Sequence, residues 1–142
     1  MIWSQVYDFG ANVTVQSEPD RITVRTEGTL CDTSHRPSAE GEKFSLEYTL
    51  TEQGLSVKGG LASGTETGVS LILPVIQGGG ETAASGRSVL IGGRLRITSA
   101  TAVEYEGPVF NPAPGFEAEN LRIHPGRDGL FDVMISVEEV SG

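Results

Sequence analysis

Apolar and polar residues alternate with period two in one short run after another. Val13 and Val15 alternate in NVTVQS, Ile22 and Val24 in RITVRT, Phe44, Leu46, Tyr48 and Leu50 in KFSLEYTLT, and Leu55 and Val57 in GLSVKG. That period puts each set on one face of an extended strand. In KFSLEYTLT the intervening Ser45, Glu47, Thr49 and Thr51 then face water, the pattern of an antiparallel sheet covered on one side. GLSVKG follows across the turn EQG, so residues 44–60 read as a β-hairpin, with Gln53 and Gly54 as the connection and Gly54 free to take positive φ.

Further along, VSLILPVI at 69–76 is apolar on both faces and reads as a central strand, with Pro74 forcing a bulge or a strand end because it lacks an N–H. GGGETAASG follows as a mobile loop. RSVLIG and RLRITS, separated by Gly92 and Gly93, form a second hairpin with Val89, Ile91, Leu95 and Ile97 inward. TAVEYEG continues the meander, and residues 107–116 are a structured connection rather than a domain boundary. NLRIH and LFDVMISV then pair as a third hairpin across PGRDG. About ten or eleven strands with turn signals every 8–12 residues and no crossover-length helical pattern predict an all-β, antiparallel β-sandwich, with a closed β-barrel as the alternative.

Composition sharpens this picture. At 142 residues, with 19 glycines and two lysines, the chain has the size of one domain, 1–142, whole or cut from a longer polypeptide. Nineteen acidic against ten basic side chains give a net charge of −9, which repels phosphate backbones and argues against nucleic acid. The longest apolar run, LILPVI, is too short to cross a bilayer, and MIWSQVYDFGANV lacks the basic and apolar regions of a signal peptide. One cysteine cannot form an internal disulfide, so compartment and oligomeric state stay open; an extracellular or periplasmic home fits an excised module.

The candidate chemistry is sparse. CDTSHRPSAEGE gathers Cys31, Asp32, Ser34 and His35, but on an extended strand Cys31 and His35 would lie roughly 13 Å apart, too far for proton transfer. Asp32 and Ser34 fit better as turn formers, leaving His35 and Arg36 at the exposed start of a polar loop. No nucleophile motif occurs, and the other histidine, His124, shares the outer strand face with Arg122. Cysteine and histidine at these spacings make no zinc site; a structural calcium would draw on Asp128 and Asp132, or on Glu138 and Glu139, and no other cofactor is called for. Arg94 and Arg96 share one strand face and could grip a carboxylate. Phe44, Tyr48 and Phe131 alternate into the core, whereas Trp3, Tyr7, Phe110 and Phe116 lie where loops or edges could display them for stacking on sugar rings.

KFSLEYTLTEQGLSVKGGL, VSLILPVI and FNPAPGFEAENLRIHP together resemble the distal part of β-sandwich domains in carbohydrate-active enzymes, of the galactose-mutarotase-like and heparinase II/III-like type. There a strand of form FxLxYxL leads through a tight turn into an LxV strand. The resemblance spans residues 43–137 and implies an accessory sandwich that packs on, or shares a polysaccharide with, a catalytic domain elsewhere in a longer polypeptide. It carries over no catalytic residue, since those enzymes place theirs in a helical toroid or a longer sandwich. The expected function is thus a non-catalytic carbohydrate-associated or carbohydrate-binding module, with Trp3, Tyr7, Arg94, Arg96, Phe116, His35 and Arg36 as ligand candidates. A structural or assembly protein offering edge strands, and a small enzyme using His35, Cys31 or His124, are the alternatives.

Overall fold

The computed structural model describes residues 8, 10–32, 34–37, 42–61, 69–76, 82–113 and 116–138. Among them are eleven strands and no helix: β1 (Asn12–Glu18), β2 (Arg21–Thr29), β3 (Lys43–Thr51), β4 (Gly54–Leu61), β5 (Leu71–Ile76), β6 (Thr82–Ser85), β7 (Ser88–Ile91), β8 (Leu95–Ser99), β9 (Val103–Ala113), β10 (Phe116–Ile123) and β11 (Leu130–Val137). They form two antiparallel sheets, an eight-stranded one in the order β1-β2-β3-β4-β11-β8-β7-β6 and a three-stranded one in the order β5-β10-β9. Among the described residues each sheet ends in strands with a single neighbour, β1 and β6 in the large sheet and β5 and β9 in the small one, so the molecule is a β-sandwich and not a closed barrel.

The period-two pattern decides which side chains meet. Cross-strand partners share a face, and the register runs Val24, Tyr48, Val57, Val133 and Ser99 across five strands of the large sheet. That face packs on the small sheet, where Leu121 and Ile123 of β10 are fully enclosed against Val57, Val89, Ile91, Ile97, Phe131 and Val133. A second cluster of Leu30, Phe44, Leu46 and Leu61 fills one end of the sandwich under the chain that leaves β2. The 44–60 hairpin forms as expected, turning at Glu52 and Gln53, with Gly54 at φ +141° so close to β11 that a Cβ would lie 2.1 Å from the Ile135 carbonyl oxygen. The β7–β8 hairpin also forms, with Val89, Ile91 and Ile97 buried.

Several expectations from the sequence are corrected. The run at 71–76 is not a central strand but the edge of the small sheet, where Ile72 is 41% exposed. An edge also accommodates Pro74 in register with Asn120, because its missing N–H need not serve a second neighbour. TAAS is not loop but β6, paired with β7. After β8 the chain leaves the large sheet, so β9 does not extend the meander; it pairs with β10, and residues 107–113 and 116 belong to these two strands rather than to a connection.

The third hairpin does not exist either: β10 pairs with β5 and β9, while β11 pairs with β4 and β8. PGRDG is a bridge between sheets, held where Gly126 N donates to Leu130 O and Gly129 N to Gly126 O. Its residues specify a bend, and they do so equally for a hairpin and for a crossing.

The small sheet covers only part of the large one. Every residue of β1 is exposed, with Val13 at 63% and Val15 at 62%, and Ile22 and Leu50 are also largely uncovered. The alternation at Val13, Val15 and Ile22 thus selects the inward face as expected, but over β1 and β2 no described strand lies opposite it.

Candidate functional site

Asp32 organises the loop that opens the CDTSHRPSAEGE stretch. It is 8% exposed, its Oδ1 accepts from Ser34 N at 2.8 Å and from Arg36 N at 3.1 Å, and its own N–H and C=O bond Arg36 O and His35 N. Cys31 forms an isolated bridge with Pro37, which closes the turn. This is the turn-forming role expected of an aspartate with accessible backbone N–H groups two and four residues on. The turn forces His35 to φ +65°, and both His35 and Arg36 project as exposed side chains.

The same turn buries the Cys31 thiol. The thiol is 3% exposed and contacts Thr29 O at 3.6 Å; burial, then the nearby carboxylates of Asp8 and Asp32, push its pKa up from the ordinary thiol value. A reactive cysteine needs the opposite environment. His124 is likewise committed, its Nε2 3.2 Å from Glu104 on the outer face of the small sheet, beside the Arg122–Glu106 pair.

The register places the remaining candidates. Arg94 and Arg96 do not share one strand face. Arg94 is exposed in the turn before β8, and its backbone bonds Ile91 and Glu138; Arg96 lies on β8. The Arg96 guanidinium bonds Glu138, which raises its pKa further, and donates to Ser88 Oγ at 2.8 Å. That occupies part of the fork a carboxylate ligand would need. Leu95 pairs with Val137 and Leu55 with Ile135, so Arg94 stands at the strand end that carries the turns at 19–20 and 52–53. His35 and Arg36 follow β2 at the opposite end of the sheet, where Gly28 pairs with Phe44 and Phe44 with Leu61. Among the described candidates, Arg94 and Arg96 therefore stand at one end of the large sheet, and His35 and Arg36 at the other. Trp3 and Tyr7 lie outside the described residues; Phe116 opens β10, but its side chain, like that of Phe110, lies outside them too.

Toward the His35 end the structure has a cleft that sequence reasoning missed. It measures about 550 Å³ and is lined by Lys58 and Gly59 of β4, Thr101, Arg127 and Asp128 of the connections, and Asp132 of β11. Lys58 stands between Glu47 and Asp132 in cross-strand register, continuing an alternating row that begins with the 2.6 Å ion pair of Arg25 and Glu47. Asp128 Oδ1 accepts from Leu130 N at 3.1 Å and shapes the rim. Two cations and two carboxylates can donate to and accept from a hydroxylated ligand, while the Thr101 hydroxyl already donates to His124 O. No group of three or more metal-ligating side chains occurs among the described residues. Among the described residues lining the cleft the aromatic one is Phe131, which turns inward and is 5% exposed. The signal that could have pointed here was charge beside glycine, in VKGG and PGRDG; Gly59 and Gly60 are strand residues of β4, where a Cβ would meet the backbone of Ser45 and Gly129.

Two antiparallel sheets without a closed barrel make this an all-β sandwich domain. The family described as the ulvan lyase C-terminal domain matches residues 1–138, nearly the whole chain. The chain belongs to that family, a domain of carbohydrate-active enzymes. Curated proteins yield no match.

Proposed function

We propose that this domain is a non-catalytic, carbohydrate-associated module of a larger polysaccharide-processing protein, which holds polysaccharide beside a neighbouring catalytic domain. The observation that carries the reading is the family match over residues 1–138 to a lyase's C-terminal domain. Physical support comes from the buried, protonated Cys31 thiol and the Glu104-bound His124, which leave no assembled nucleophile and base among the described residues. The cleft between Lys58 and Arg127 is the contact with sugar hydroxyls and acidic substituents.

Affinity electrophoresis of the domain through gels containing ulvan or other polysaccharides tests the reading. Retardation in at least one gel, weakened by the double substitution Lys58→Ala and Arg127→Ala, is expected. Equal mobility in every gel overturns the carbohydrate contact. Release of unsaturated sugar ends by the domain alone, followed by ultraviolet absorbance, overturns the non-catalytic assignment.

A further inference from the structure

The four sheet edges are guarded unequally. An exposed edge strand offers unpaired N–H and C=O groups to any passing strand, and proteins blunt it with proline, lysine, bulges or short length. In the small sheet β5 carries Pro74, and β9 carries Pro108 and Pro112. At the far side of the large sheet β6 is only four residues long. β1 has none of these devices: NVTVQSE runs seven residues in unbroken register with β2, without proline, lysine or arginine, and its one charge is Glu18 at the end. Beside this edge lies the uncovered apolar face, Val13 and Val15 continuing into Ile22 at 43% and Leu50 at 51% exposure. An open edge and an open apolar face at the same place define an interaction surface.

We infer that the partner is a second copy of this chain, joined by antiparallel pairing of β1 with β1 about a two-fold axis at Val15. The sequence of β1 is complementary to itself in that register. Val15 meets Val15, Thr14 meets Gln16, Val13 meets Ser17 and Asn12 meets Glu18, so no two like charges stand opposite. A two-fold interface of this kind closes, because each copy spends its only β1 edge. Pairing places Val13 and Val15 of both copies in one apolar stripe between the two small sheets. The net charge of −9 on each copy works against association, so salt strengthens the dimer.

Sedimentation equilibrium of the chain tests this. A monomer–dimer equilibrium that tightens between about 50 mM and about 500 mM salt is expected. Val15→Lys and Val15→Glu each put like charges about 5 Å apart across the axis, and each weakens the dimer at least about tenfold. Mixing the two variants restores a heterodimer, a readout that misfolding would not give. Val137→Lys, at a 74% exposed valine on β11, leaves the dimer intact. A wild-type monomer at all concentrations, an open-ended oligomer, or failure of the mixed variants to pair overturns the inference. If the chain is monomeric, amide protection of residues 12–24 that appears only with an adjoining polypeptide assigns the surface to that polypeptide instead.

Discussion

Replacing Gly59 with alanine isolates the close approach on which the β3–β4 pairing depends. Gly59 has φ +137°, and a Cβ there would stand 2.0 Å from the Ser45 carbonyl oxygen, 2.9 Å from its carbon and 3.0 Å from the Leu46 Cα. All three are backbone atoms of β3, so no side-chain rotation relieves the overlap. An alanine in this region of φ costs about 1–3 kcal/mol of backbone strain. Moving β3 away by the further ångström or so needed loosens one or two ladder bonds worth about 1 kcal/mol each. It also opens the cluster around Leu46 and Phe44, which are 5% and 7% exposed. The total is about 3–5 kcal/mol, a large part of the roughly 5–15 kcal/mol that holds a domain together. At about 4 °C per kcal/mol for this length, the melting temperature falls by about 12–20 °C. Gly92→Ala is the matched control, for Gly92 also has positive φ, +61°, but nothing lies within 4 Å of its Cβ position. It pays the strain alone, about 1–2 kcal/mol. Urea unfolding followed by far-ultraviolet circular dichroism measures both, and equal midpoints for the two variants would refute the clash argument.

The Cys31 thiol is expected to react with a colorimetric disulfide reagent only as fast as the native fold opens, so that adding urea accelerates labelling; rapid stoichiometric labelling in native buffer contradicts its burial. Because the folded thiol's pKa is raised, its contribution to stability is fully present below the unfolded-state value and is lost as pH rises through the folded-state value. The urea midpoint should therefore fall as pH rises above the ordinary thiol range, and Cys31→Ala should flatten that part of the slope. Asp32→Ala removes the acceptor for Ser34 N and Arg36 N and costs about 2–3 kcal/mol, read as a lowered urea midpoint.

What the sequence made legible was the face of each residue rather than its neighbour. Val89, Ile91 and Ile97 were assigned to the inward side of their strands, and they are buried there. Yet the alternation in LFDVMISV is the same whether that strand lies beside β10 or across the core from it. The large sheet is completed by pairing β11 with β4, from Ile135 opposite Leu55 to Leu130 opposite Gly60, and no local pattern records a contact between segments so far apart. Hairpins with tight turns, at 52–53 and 92–94, were readable because turn and strands are contiguous. Coverage was not readable at all: Val15 in NVTVQS and Val57 in GLSVKG follow one rule, and one is 62% exposed where the other is 3%.

The candidate site follows from the same limit. Within CDTSHRPSAEGE the roles of Asp32 and Cys31 depend on backbone groups a few residues away, and local chemistry assigned the turn correctly. Arg94 and Arg96 looked like a pair because they alternate, but a turn ending at Arg94 breaks the strand period between them, and Glu138, brought over by β11, engages one of the two. Lys58 and Arg127 looked unrelated because they are distant in sequence, and the β4–β11 pairing sets them around one cleft. Long-range pairing thus both dissolves the apparent cation pair and makes the actual one. The cleft exists because β11 enters the large sheet directly after PGRDG crosses over from β10. A change that straightened this crossing would remove Arg127 and Asp128 from Lys58 while leaving every strand's alternation untouched.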